Sequence, residues 1–160
     1  MTDVILVNTI ATEVREMLSD GGLQALYGNV FEDIIVYEHD IPLVQDEDDE
    51  DLRNYIVIMT GDEETVEEDG RDEWNVEIHF SINITDMDGT RTGNTNILNL
   101  MNEIYMHFIT KGIIDRYCRM EKKAYKALNL EAPYPYYEGD LITNWKLPLP
   151  VEEGLEEYLI

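Results

Sequence analysis

The sequence predicts an α+β domain: a mainly antiparallel sheet of four to five strands with two principal helices packed on one face, ordered α-β-β-β-α-β-β. Two segments carry that expectation. Trp74, Val76, Ile78, Phe80, Ile82 and Ile84 alternate without a break against Asn75, Glu77, His79, Ser81, Asn83 and Thr85, the period-two pattern of a strand with one core face and one wet face. Ile97, Leu98, Leu100, Met101, Ile104, Tyr105, Phe108 and Ile109 form an apolar arc wide enough for a helix lying across a sheet. The length of 160 residues suits one domain with a single core, and 44% hydrophobic residues is too apolar for wholesale disorder. The expected domain spans 1–150 with an acidic loop at about 45–51, and 151–160 form an acidic tail or short helix.

The elements follow in order. Val7, Ile10, Ala11, Val14, Met17 and Leu18 recur at helical spacing, with Thr2 or Asp3 as N-cap and Gly21-Gly22 as the stop. After the turn-like Tyr27-Gly28-Asn29, the β-branched run Ile34 to Tyr37 reads as a strand, and Tyr55 to Thr60 reads as a second. The alternating strand 74–85 comes third. Asp86 to Gly93 supply turn chemistry, then Asn94 or Thr95 caps the second helix, which stops at Gly112. Residues 116–128 fit two periods: Tyr117, Met120, Ala124 and Leu128 suit a helix, while Tyr117, Arg119, Glu121, Lys123 and Tyr125 suit a strand. Pro133-Tyr134-Pro135-Tyr136-Tyr137 is extended or turning, because proline fixes φ and disfavours helix before it. Asp140 to Leu147 reads as the last strand, ended by Pro148 and Pro150. No internal repeat is visible.

The charges are sorted along the chain. Residues 32–73 hold 18 of the 35 carboxylates, and residues 111–126 hold six of the 11 basic side chains, in a net charge of -24. Carboxylates packed this densely repel by about 1 kcal/mol per pair at ~4 Å even in water, so they require solvent, cations or a basic partner. Strong negative charge argues against sequence-specific nucleic-acid binding, which draws on Lys and Arg at phosphates. The N-terminus shows no secretory pattern and no apolar run approaches a bilayer span, so a soluble intracellular protein without membrane contact is expected. The lone Cys118 reads as a reduced, inert thiol.

No catalytic, cofactor or metal site is expected. Asp86, Asp88, Gly89, Thr90 and Thr92 resemble the start of a calcium loop, but Ile97 occupies the twelfth position and glycine falls fourth. His39, His79 and His107 lack partners at metal-ligand spacing, and nucleophile-elbow, phosphate-loop and dinucleotide motifs are absent. A non-enzymatic role is the expectation. The aromatic cluster Tyr134, Tyr136, Tyr137 and Trp145 reads equally as a core-edge lid or an interface patch.

The helix Ile97–Ile109, the segment Tyr117-Cys118-Arg119-Met120-Glu121-Lys122, and Pro133-Tyr134-Pro135-Tyr136-Tyr137-Glu138-Gly139 leading into Leu141–Leu147 together resemble the tail-terminator or tail-completion (head-to-tail joining) proteins of long-tailed bacteriophages and prophages. The resemblance covers most of the chain as element order and residues 95–150 as sequence texture. It implies a virion structural protein that forms a homo-oligomeric ring, a hexamer in the family pattern, capping the tail tube and meeting the head connector. The location implied is the virion tail or neck, assembled in the bacterial cytoplasm. It also implies that residues 116–127 form a strand pairing with 140–147.

A ring needs two different patches of one subunit to meet on adjacent copies, and an acidic edge with a basic edge would supply them. The candidate interface is therefore Arg116, Arg119, Lys122, Lys123, Lys126, Tyr134, Tyr136, Tyr137 and Trp145. The alternative class is an acidic DNA-mimic inhibitor of a DNA-binding protein, which would need its carboxylates spread over a long ordered face.

Overall fold

A computed structural model describes residues 1–41, 54–68, 70–87 and 92–150. Helix α1 spans Asp3–Ser19, α2 Gly21–Tyr27 and α3 Gly93–Lys111; the strands are β1 Ile35–Glu38, β2 Tyr55–Glu68, β3 Arg71–Thr85, β4 Ile113–Ile114, β5 Cys118–Asn129 and β6 Tyr136–Pro148. The strands make one mixed sheet in the order β1-β2-β3-β6-β5-β4. Only β1 and β2 run parallel; every other neighbouring pair is antiparallel.

The expected fold class holds in outline and differs in four details. The sheet has six strands rather than four to five, because a short parallel strand lies at one edge and a two-residue strand at the other. A third helix exists. Gly21-Gly22 do not stop the first helix; they open α2, because Asp20 ends α1 and its carboxylate then accepts from the Gly22 N–H at 3.3 Å. The second strand does not end at Thr60 but continues to Glu68, paired with β3 as far as Glu68 opposite Arg71. Gly70, just before Arg71, takes φ of 74°, a conformation glycine adopts without strain. The expected loop at 45–51 and tail at 151–160 lie outside the described residues.

Other boundaries follow local chemistry. Thr2 caps α1, its hydroxyl accepting from the Ile5 N–H at 3.3 Å. Gly112 ends α3 at φ 77°, a conformation costly to any residue with a Cβ. The two-period segment resolves as strand β5, paired with β6 from Arg119 opposite Lys146 to Asn129 opposite Glu138, as the resemblance implied.

The core lies between one sheet face and the helices. Leu6, Ile10 and Val14 of α1, with Ile97, Met101, Ile104 and Phe108 of α3, cover Ile56 and Ile58 of β2, Ile78, Phe80 and Ile82 of β3, and Leu141 and Trp145 of β6. Gly139 lets α3 approach β6, since a Cβ there would run into Ile97 and Met101. Glu13 of α1 fastens the two long helices, accepting from His107 at 3.0 Å and pairing with Lys111.

Candidate interface surfaces

The structure separates the nine candidate interface residues into different surroundings. Trp145 is 1% exposed, set edge-on against Phe108 with ring centroids 5.3 Å apart, and so belongs to the core rather than to a surface. Its place follows from register: β6 alternates, and residue 145 shares the core-facing parity of Leu141 and Leu147. Tyr137 is half-buried and packs against the core beside Gly93, where a Cβ would overlap its ring. Tyr134 and Tyr136 stay exposed, and the Tyr134 hydroxyl donates to the Met87 carbonyl at 2.9 Å. The aromatic cluster is thus half lid and half surface.

The basic candidates remain together along one margin. Arg116 sits in the turn between β4 and β5 at φ 69°, and Arg119 lies on β5 opposite Ile113. Lys122 and Lys123 occupy a bulge, because four steps along β5 from Met120 to Ala124 match two along β6, from Trp145 to Thr143. Tyr105 of α3 donates to the Lys122 carbonyl at 2.5 Å, and Lys126 donates to Asn102 at 2.6 Å. All five basic side chains are exposed.

Lys146 was not among the candidates, yet it anchors this margin. It reaches Glu73 at 2.7 Å and Glu121 at 3.2 Å, tying the β5 bulge to β6 and β3. Those two carboxylates raise its pKa from the usual lysine value. The signal lay in the strand parity: Lys146 falls on the wet face of 140–147, with Glu73 near the start of the neighbouring strand.

The acidic half is ordered well beyond the expected strand end at Thr60. Asp62, Glu63, Glu64 and Glu67 stand on β2, and Asp72 and Glu73 on β3, so these acids form an ordered hairpin arm rather than solvated loops. Glu67 faces Asp72 across the ladder, a like-charge pairing that costs stability where it stands. Glu63 has its pKa raised by desolvation first, then by the nearby Asp3 carboxylate.

Two strand margins are left without neighbours among the described residues. β1 covers β2 only from Tyr55 to Ile58, with His39 adding a bond to the Ile58 carbonyl, so Thr60–Glu68 has β3 on one side alone. β4 covers β5 only at Cys118 and Arg119, so Glu121–Asn129 has β6 alone. The first margin carries four described carboxylates and the second three lysines. Among the described residues no group of His, Cys, Asp or Glu is arranged to hold a metal ion, and no helix is long and apolar enough to cross a membrane. An open groove of about 630 Å³ between the helices is lined by Leu23, Leu26 and Met106 with Glu103, His107 and Lys111 among its polar neighbours.

The fold has a solved counterpart. A chain from the virion of a native gene transfer agent particle aligns with TM-score 0.52 at 13% identity, covering 93% of this chain and 100% of that one. A second solved chain aligns with TM-score 0.47 at 8% identity, covering 89% of this chain and 96% of that one. No protein-family model matches the sequence, and no curated protein matches it.

Proposed function

We propose that this chain is a non-enzymatic virion structural protein of the tail-terminator or tail-completion type, assembling as a homo-oligomeric ring that caps a tail tube and meets a head connector. The observation that carries the reading is the whole-chain likeness of fold to a component of a gene transfer agent virion, which aligns over its full length. The sorted margins support it: a ring needs a heterologous contact between two unlike patches, and this sheet leaves an acidic margin of β2 on one side and a basic margin of β5 on the other. Carboxylates facing a lumen would also repel DNA and keep it from adhering as it passes.

Electron microscopy of the purified protein, alone and with isolated tail tubes, tests the reading. Rings of uniform diameter, or density capping one end of the tubes, are expected. A monomer that leaves tubes undecorated would overturn it.

A second reading, a DNA-mimic inhibitor, gains from the ordered acidic hairpin, which presents carboxylates on a fixed scaffold. The basic margin weighs against it, because lysines and arginines at the opposite side of the same small sheet would repel the basic groove that a mimic must enter. Competition between this protein and duplex DNA for a panel of DNA-binding proteins separates the two readings.

A further inference from the structure

We propose that copies of this chain join by continuing the sheet, the margin of β2 that the described residues leave uncovered (Thr60–Glu68) on one copy pairing antiparallel with the corresponding margin of β5 (Glu121–Asn129) on the next. The proposal rests on the ring reading above and specifies the contact that would build it.

Unpaired strand margins present rows of backbone N–H and C=O groups, and such rows invite another strand. The two margins here are matched in four respects. Each is nine residues long. They sit at opposite sides of the sheet, so one copy can offer the first while receiving on the second, and the contact propagates. They run in opposite directions, since three antiparallel steps separate β2 from β5; copies related by rotation about an axis along the strands therefore meet antiparallel. They carry opposite charge.

Parity fixes the alignment further. Glu63 shares the core-face position of Val76, and Lys126 shares that of Leu141, so a continuous sheet can set Glu63 of one copy opposite Lys126 of the next. Glu67 then falls near Lys122, and across the bulge between Thr60 and Glu63 Leu128 reaches Thr60, just short of where β1 and His39 close the margin. A lysine there would offset like charge at both acids, since Glu63 has the Asp3 carboxylate close by and Glu67 stands opposite Asp72 in the ladder.

The alignment displaces one copy along the strands. The rung of Glu63 passes through Val76, whereas that of Lys126 passes through Leu141 to Phe80, four residues farther along β3. Four residues amount to about 13 Å at ~3.3 Å each; pairing β5 directly onto β2 repeats the four strands β2-β3-β6-β5 per copy, roughly 19 Å, so closure without a helical rise inclines the strands by about 35° to the ring axis. Barrels close by the same coupling of stagger and tilt.

The test is a disulfide between copies, made with Glu63→Cys and Lys126→Cys in one chain. On mild oxidation the double variant should give a ladder of covalent species on non-reducing gels, while a 1:1 mixture of the two single variants should stop at dimers. Charge reversal gives an independent arm: Glu63→Lys and Lys126→Glu should each lower the assembled fraction in sedimentation at least tenfold, and the two together should restore it. Rings visible in the microscope without cross-links, and with assembly unmoved by either reversal, would overturn the strand contact while leaving the ring reading intact. A monomer under all conditions, with or without tail tubes, would remove both.

Discussion

The indole N–H of Trp145 donates to the Thr143 hydroxyl at 2.9 Å, and that hydroxyl donates in turn to the Ile78 carbonyl at 3.0 Å. Thr143 is fully buried between β3 and α3, the one polar side chain so placed among the described residues. Its oxygen is thus both acceptor and donor in a dry interior.

Replacing Thr143 by Val keeps the shape but leaves the indole N–H without a partner. A buried unsatisfied donor costs about 1–3 kcal/mol, which for a chain of this size lowers the melting temperature by roughly 3–10 °C. Thr143→Ser keeps the relay and should cost much less. Equal melting temperatures for the Val and Ser variants would show that the relay contributes nothing.

Trp145 also shows where sequence reasoning reached and where it stopped. Strand parity was legible: residues 74–85 and 140–147 alternate as written, and the parity that puts Leu141 and Leu147 inside puts Trp145 there too. The aromatic cluster was read by composition instead, which is blind to parity and so grouped Trp145 with the exposed Tyr134 and Tyr136. The expected end of the second strand at Thr60 fails for a related reason. The carboxylates from Asp62 onward disfavour a strand locally, whereas Thr65 and Val66 continue the ladder, and pairing with β3 overrides weak local preference. For β5 the periods tied, since a bulge at 121–123 breaks the alternation that would have decided it.

Cys118 should resist modification in the folded protein. Burial pushes its thiol up to about 11, with Asp115 adding to the shift and the N-terminal ammonium opposing it. The folded state therefore keeps the thiol protonated while the unfolded chain ionises near its ordinary value of 9. Stability from this group is constant below pH 9 and lost between about 9 and 11. A thiol reagent at pH 8 should leave the native protein unlabelled and label it fully in denaturant. Rapid stoichiometric labelling of native protein would contradict the buried position.

Glu63 carries a stability cost in the isolated subunit. Desolvation and the Asp3 carboxylate raise its pKa, so the folded state disfavours its charged form. A carboxyl with a raised folded pKa favours folding at low pH, and that contribution is lost as pH rises through and beyond its unfolded value of 4.5. Glu63→Gln should therefore raise the melting temperature of dilute protein at pH 7 and make no difference near pH 4. A Gln variant less stable than the parent at pH 7 would reverse the sign and refute the crowding.

Lys146 holds the basic margin in shape. It bridges Glu73 on β3 and Glu121 at the β5 bulge, and the hydrogen bonds it donates to those carboxylates raise its pKa. For a lysine the sign is opposite to that of Glu63: the contribution is fully present below the unfolded value of 10.5 and is lost as pH rises through the folded pKa. Lys146→Met keeps the aliphatic stem but leaves two carboxylates facing one another. Ion pairs this accessible contribute little, so the loss at pH 7 should be about 0.5–1 kcal/mol, shrinking with added salt. The larger effect falls on geometry. Released from Lys146, the bulge no longer fixes Lys122 and Lys123, so sedimentation should show weaker self-association even where melting temperatures differ little. Unchanged assembly in the Met variant, with the stability loss as stated, would show that the bridge stabilises the fold without shaping the margin.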